Sequence, residues 1–317
     1  MRILLVKTSS LGDVIHNLPV ATDIRRHFPD ATIDWCVEES FAAIPRLHPA
    51  IDRVLPVAIR RWRKALFKAA TWREIGTFRQ DLRAQRYDAV IDTQGLLKSA
   101  WLACWAVGPK SGYAADSARE PWASRFYQHR FSIDRKLHAV VRNRRLAASA
   151  LAYPLDAACD YGIAAPPGVF DWLPERPYAV LLTATSRDDK LWPEPNWLAL
   201  GRALQQQGVL SVLPAGSQPE RERAARLAAQ IPGAIAAPSL GIDQLAGLLA
   251  RAQGVIGVDT GLTHLAVALK VPTAAIYTAT DPGLTGVYGG GPHSNLGGKG
   301  LCPNPQTVLH ALMQGAG

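Results

Sequence analysis

Asp259 and His264 bracket a short Thr260-Gly261-Leu262 turn, with the apolar run Gly254–Val258 before it and an amphipathic helical segment after it. A helix that starts in such a turn presents backbone N–H groups with no partner inside the helix, and these can hold a phosphate beside the carboxylate and the imidazole. The plainer alternative is a structural turn in which Asp259 caps the helix. Three other segments also place polar groups where an apolar run ends. In Lys7-Thr8-Ser9-Ser10-Leu11-Gly12-Asp13, Asp13 can cap the next helix or act as a general base on a hydroxyl, and Gly12 permits close approach of a ligand to the backbone. The loop Thr183 to Pro193 gathers the hydroxyls of Thr185 and Ser186 with Arg187 and Lys190, a set suited to phosphate oxygens. Its adjacent Asp188 and Asp189 are a thin basis for a metal site. In Pro214 to Glu220, Glu220 can accept ribose hydroxyls or simply complement the positive end of its helix.

The elements that must carry these groups alternate strand and helix twice over. Arg2–Val6, Thr32–Val37, Arg53–Val57 and Tyr87–Asp92 read as strands in the first half, with helical patterns at Val14–Phe28, Glu74–Gln85, Leu96–Val107 and His138–Leu151. Pro19 inside the first of these predicts a kink or a late start. In the second half the strands are Tyr178–Thr183, Val209–Leu213, Gly254–Val258 and Thr273–Tyr277, and the helices Glu194–Gln207, Pro219–Gln230, Ile242–Ala252 and Leu262–Leu269. Short apolar strands alternating with such helices imply α/β architecture with parallel sheets joined by right-handed crossovers. Ala152–Pro177 is rich in proline and shows no periodicity, so the linker is placed at 161–177, between domains at 1–160 and 178–317. The closing helix, Pro305–Gln314, is free to pack back on the first domain. Two Rossmann-like domains facing across a cleft follow from this pattern, with ligands at the carboxyl ends of the strands.

Composition narrows the function. The chain has 317 residues and a net charge of +9, and nearly half of its residues are hydrophobic. The charge is uneven: up to Ala157 there are 25 Lys and Arg against 15 Asp and Glu, and after it 10 against 11. From Ala58 to Arg73 the cations Arg60, Arg61, Arg63, Lys64, Lys68 and Arg73 occur with no acidic residue and with Trp62, Phe67 and Trp72 between them. A second basic run spans Arg125 to Arg145. Such runs are either solvated faces or the contact for an anionic partner such as nucleic acid, a phosphorylated lipid or a membrane surface. The first residues lack the length and cleavage site of a signal peptide, and no segment approaches the roughly 20 apolar residues of a membrane span. Cys36, Cys104, Cys159 and Cys302 are far apart, which argues against a disulfide framework or a metal site and suits a cytoplasmic protein. The dinucleotide fingerprint, the phosphate loop of ATPases and the nucleophile elbow are all missing, which disfavours a nicotinamide dehydrogenase, a P-loop ATPase and an α/β-hydrolase.

Taken together and in order, Lys7 to Asp13, Arg60 to Lys64, Arg187 to Pro193 and Asp259 to His264 resemble the lipopolysaccharide heptosyltransferases of type I, in glycosyltransferase family 9. The resemblance extends to about Gly286. It implies a glycosyltransferase fold of the B type, with the first domain binding the acceptor and the second the donor. The implied reaction is inverting transfer of L-glycero-D-manno-heptose from ADP-heptose to a Kdo hydroxyl of Kdo-lipid A. Carried over residue by residue, Asp13 is the general base, and Thr185, Ser186, Lys190, Thr260 and Gly261 hold the diphosphate. Lys190 neutralises the departing ADP, Glu220 meets the ribose, Asp259 the heptose, and His264 supports the turn. Arg60, Arg61, Arg63 and Lys64 meet the phosphates and carboxylates of the acceptor. The resemblance also implies no tightly held metal, no nucleic acid, and a cytoplasmic enzyme in peripheral contact with the inner membrane. Two departures stand out: Ser186 replaces a second Thr, and Tyr277-Thr278-Ala279-Thr280-Asp281-Pro282 replaces Tyr-Gly-Pro-Thr-Asp-Pro. The glycine-rich stretch 289–300 has no assigned role. A transferase using another nucleotide-sugar, a sugar-nucleotide isomerase and a nucleic-acid-binding module are the competing readings.

Overall fold

A computed structural model describes residues 1–315. The chain packs as two compact units, Met1–Gly162 and Ile163–Gly317, and 152–177 contains no helix or strand. In the first unit β1 (Arg2–Val6), β2 (Thr32–Glu38), β3 (Arg53–Val57), β4 (Ala89–Asp92), β5 (Lys110–Tyr113) and β6 (His129–Phe131) form one sheet in the order β3-β2-β1-β4-β5-β6. In the second, β7 (Tyr178–Leu182), β8 (Leu210–Leu213), β9 (Ile235–Ala236), β10 (Gly254–Val258), β11 (Thr273–Tyr277) and β12 (His293–Gly297) form a sheet ordered β12-β11-β10-β7-β8-β9. Every neighbouring pair is parallel.

Both units therefore share one topology. Each chain segment starts in the middle of its sheet, builds outward to one edge, then crosses back to build toward the other. The reversal falls between β1 and β4 in the first unit and between β7 and β10 in the second, and loops leaving the carboxyl ends of those strands diverge to leave a crevice. Because helices cover both faces, the central strands are apolar on both sides: β7 and β10 are buried at every residue.

Four strands lie outside the predicted set: β5, β6, β9 and β12. All are short and sit at or next to a sheet edge, where polar residues and glycines are tolerated, so Lys110–Tyr113 and His129–Phe131 carry no apolar run to betray them. The glycine-rich stretch contains β12, which extends the sheet beside β11. The first helical pattern divides into Leu11–Ile15 and Leu18–His27, and Pro19 occupies the first turn of the second helix, where its missing N–H costs nothing. The closing helix, Pro305–Gly315, packs on the second unit through Val308 and Leu312, which lie in the core with Leu204, Ile256 and Ala274. The apolar stripe of this helix finds the uncovered face of β10 and β11. No helix among the described residues is long and apolar enough to cross a membrane.

Candidate active site

In the second unit, the loops after β7 and β10 meet over the topological reversal. Lys190 Nζ donates to Asp259 Oδ2 at 2.7 Å, Thr185 Oγ1 to the Asp259 carbonyl at 2.8 Å, and Thr280 Oγ1, from the loop after β11, to Asp259 Oδ2 at 2.8 Å. Lys190 and Asp259 retain 17 and 11 % side-chain exposure, so this is a sheltered pair with one open side. His264 Nε2 stands 4.0 Å from Asp259 Oδ1, on the inner face of the helix Gly261–Ala268. Asp259 is thus held by three side chains from two other loops, and the capping role offered by the plainer reading is not the one it plays. The residue at the cap position is Thr260, in extended backbone, and the helix has no side-chain cap among the described residues. Its first N–H groups are left for an anion.

Local packing explains why the turn sits so close to the sheet. Thr263 Oγ1 donates to the Val258 carbonyl at 2.7 Å, folding the first helical turn onto β10. A Cβ at Gly257 would come within 2.2 Å of that hydroxyl, so a glycine is required for this approach. Behind the Lys190 loop, Trp192 and Trp197 meet edge to face at 4.9 Å, and Trp192 Nε1 donates to the Pro303 carbonyl at 2.9 Å. Asp189 is ion-paired with Arg187, and its carbonyl accepts from Thr278 Oγ1 at 3.0 Å. Ser186 lies on the loop after β7, and Glu220 in the first turn of the helix Gln218–Ala228 that follows β8. Glu220 Oε2 accepts from the Gly216 and Ser217 N–H groups, both at 2.9 Å, which makes it the reciprocal partner in a capping box.

In the first unit the corresponding loops follow β1 and β4. Gln94 Oε1 accepts from the N–H groups of Thr8 at 2.9 Å and Ser9 at 3.2 Å, which pins the loop leading to Asp13. The cap of the helix Leu11–Ile15 is Ser10, not Asp13; Asp13 Oδ2 accepts from Ser10 N at 2.8 Å and Ser10 Oγ at 3.1 Å. Arg119 Nη1 lies 3.5 Å from the same oxygen. Lys98 Nζ donates to Ser9 Oγ at 2.9 Å, and burial draws its pKa down against the pull of Glu38 and Asp13. Lys7 points inward, donating to the Thr93 carbonyl at 2.8 Å, and burial lowers its pKa to about 8.

The basic run resolves into unequal parts. Arg60 places its guanidinium 5.0 Å from the centre of the Phe41 ring, and its N–H donates to Glu38 Oε1 at 3.0 Å. Arg61 is held on both sides, by Glu39 at 3.0 Å and by Glu74 at 2.6 Å. Arg63 and Lys64 are exposed and have no ion-pair partner among the described residues. Arg119, Lys98, Gln94 and Thr280 were not singled out from the sequence. None stands in a motif that marks it, and only the fold brings it to Asp13, the Asp13 loop or Asp259.

Two parallel α/β units, each with polar side chains collected at the carboxyl ends of its strands, define the class: a two-unit α/β protein built on the B-type glycosyltransferase plan. Comparison with known proteins agrees. The family model for glycosyltransferase family 9 (heptosyltransferase) matches residues 75–297. Lipopolysaccharide heptosyltransferase 1 of Escherichia coli K12 is 47 % identical over 325 residues, covering 98 % of this chain and 99 % of that one. The Pseudomonas aeruginosa protein of the same name is 50 % identical, covering 91 and 82 %. The solved structure of E. coli heptosyltransferase WaaC with ADP is similar with a TM-score of 0.91 at 43 % identity, over 99 % of this chain and 100 % of that one. A second WaaC structure, with ADP-2-deoxy-2-fluoro heptose, has a TM-score of 0.86. The chain belongs to glycosyltransferase family 9, the heptosyltransferases.

Proposed function

We propose that this enzyme transfers L-glycero-D-manno-heptose from ADP-heptose to a hydroxyl of Kdo-lipid A, with inversion at the anomeric carbon. The observation that carries the reading is the Lys190–Asp259 pair at the reversal of the second sheet, beside an uncapped helix N-terminus. The whole-length similarity to a heptosyltransferase solved with ADP supports it. In the reaction, the acceptor oxygen attacks the anomeric carbon from the face opposite the diphosphate while its proton passes to Asp13. The bond from that carbon to the β-phosphate oxygen breaks and ADP leaves with the electron pair. Lys190 and the N–H groups of Gly261 and Leu262 oppose the charge growing on the diphosphate, with the hydroxyls of Thr185, Ser186 and Thr260 as further donors. Asp259 fixes Lys190 and offers its carboxylate to heptose hydroxyls. Glu220 uses one oxygen for its helix and has the other for the ribose.

Incubation with ADP-heptose and Kdo-lipid A is the direct test. ADP release together with a heptosylated product is expected, and stronger thermal stabilisation by ADP than by UDP. Release of ADP without transfer, or preference for UDP, defeats the reading. The reaction is proposed to need no tightly held metal, so turnover in excess EDTA should match that in its absence; a loss restored by a divalent cation would contradict this.

The acceptor carries phosphates and carboxylates, which gives the exposed cations of the first unit a partner. Here Arg61 parts from its neighbours, because two carboxylates already satisfy its guanidinium. Replacing Arg63 and Lys64 together by Gln should raise the KM for Kdo-lipid A about tenfold or more with little change in the KM for ADP-heptose. Arg61→Gln should raise it less. Steady-state kinetics with each substrate varied in turn decides this, and equal effects on both KM values would refute the division of roles. The membrane contact is proposed on the same basis: a lipid-anchored acceptor must be met at a cytoplasmic surface.

A further inference from the structure

The link between the helix Ile59–Arg63 and the helix Ala69–Arg83 turns its apolar side chains outward. Phe67 is fully exposed, and Leu66 and Trp72 are 45 and 59 % exposed. This is a built feature, because the backbone of the link is tied down from the helix that follows. Thr71 Oγ1 donates to the Ala65 carbonyl at 2.8 Å, Trp72 Nε1 to the Leu66 carbonyl at 2.7 Å, and Lys68 N to the Ala65 carbonyl at 3.1 Å. Beneath it, Trp62 meets Phe78 at 5.8 Å between ring centres and anchors the first helix in the core. The bond made by Trp72 has a second consequence. Its one polar group is already satisfied, so the whole ring can leave water without an unpaired N–H. Lys68 and Arg73 flank these side chains, both exposed, and no acidic residue occurs from Ala58 to Arg73.

We propose that Leu66, Phe67 and Trp72 form a tip that inserts into the headgroup region of an anionic phospholipid bilayer, with Lys68 and Arg73 bound to lipid phosphates. An aromatic and aliphatic wedge rimmed by cations combines the two attractions that hold a protein at such an interface, apolar burial and charge. A protein partner of opposite charge would answer the cations but leave fully exposed Phe67 and the internally bonded Trp72 without a purpose. The inference rests on the reading of a membrane-held acceptor for its role in the reaction, and its binding test requires no turnover.

The full chain is sedimented with phosphatidylcholine vesicles, with and without phosphatidylglycerol. Partitioning should increase with phosphatidylglycerol and decline with salt. Phe67→Ser combined with Trp72→Ser should lower the partition constant about tenfold or more with at most a small fall in Tm, since both side chains are exposed and the hydrogen bond lost is that from Trp72 Nε1 to the Leu66 carbonyl. Lys68→Gln combined with Arg73→Gln should remove most of the dependence on phosphatidylglycerol. On a deacylated, soluble acceptor the Phe67/Trp72 variant should turn over like the parent. Unchanged partitioning of that variant overturns the proposal, as does a parent that ignores phosphatidylglycerol, or self-association through the tip without vesicle binding. Vesicle binding by a parent that transfers no heptose supports the surface and overturns only the reaction.

Discussion

Asp13→Ala enzyme should turn over about 10²- to 10⁴-fold more slowly than the parent while binding ADP with unchanged affinity. The expectation follows from where the carboxylate sits. One oxygen, Oδ2, serves the Ser10 N–H and hydroxyl and faces Arg119, which fixes the rotamer. The other is available to a hydroxyl, and the side chain keeps 25 % exposure. Truncation also removes a helix-cap contact, typically worth about 1 kcal/mol, so a lower Tm is expected for Asp13→Ala and must be separated from the chemistry. Asp13→Asn makes that separation. It retains an oxygen for the Ser10 N–H but cannot accept a proton, so it should recover most of the lost Tm and none of the lost kcat. Rapid turnover by Asp13→Asn, measured as ADP release, would move the proton transfer to another group.

The second large effect is expected at Lys190. Lys190→Ala should lower kcat about 10²- to 10³-fold, in the range found when one preorganised donor to a developing charge is removed. It should also raise the KM for ADP-heptose, because the Asp259 carboxylate, still accepting from Thr280, would then face the diphosphate without the Lys190 ammonium. Asp259→Asn removes that repulsion, so the double variant should lose less than the two single losses combined. Direct partners commonly couple by about 0.5–3 kcal/mol. Lys190→Arg keeps the charge but not the compact ammonium, and should restore donor binding more than kcat. Strict additivity in the double-mutant cycle would mean that Lys190 and Asp259 act on separate parts of the substrate.

Much of the architecture was legible because central parallel strands are buried on both faces. Arg2–Val6, Gly254–Val258 and Thr273–Tyr277 read directly as strands, and the structure returns them with the same bounds, as it does the edge strand Arg53–Val57, whose valines and leucine still form an apolar run. The strands β5, β6, β9 and β12, at or next to a sheet edge, were hidden, since such a position places little demand on side-chain type. The polar loops were legible for a related reason: a hydroxyl- and lysine-rich segment after an apolar run stands out against its neighbours. What each polar residue does was less so. Asp13 and Asp259 were both plausible helix caps, yet Ser10 and Thr260 hold those positions. Arg61 looked like its neighbours until Glu39 and Glu74 came into contact with it.

The amino-acid sequence by itself determined the two α/β units, the parallel sheets and the short list of segments at the strand ends, because periodicity and turn chemistry act over neighbouring residues. Partnership was decided by tertiary structure alone. Lys190 meets Asp259 across 69 residues of chain and Lys98 meets Ser9 across 89. An ion pair or a hydrogen bond acts over a few ångströms in space, so the groups that share a proton, a charge or a rotamer become known only once the strands have brought their loops together.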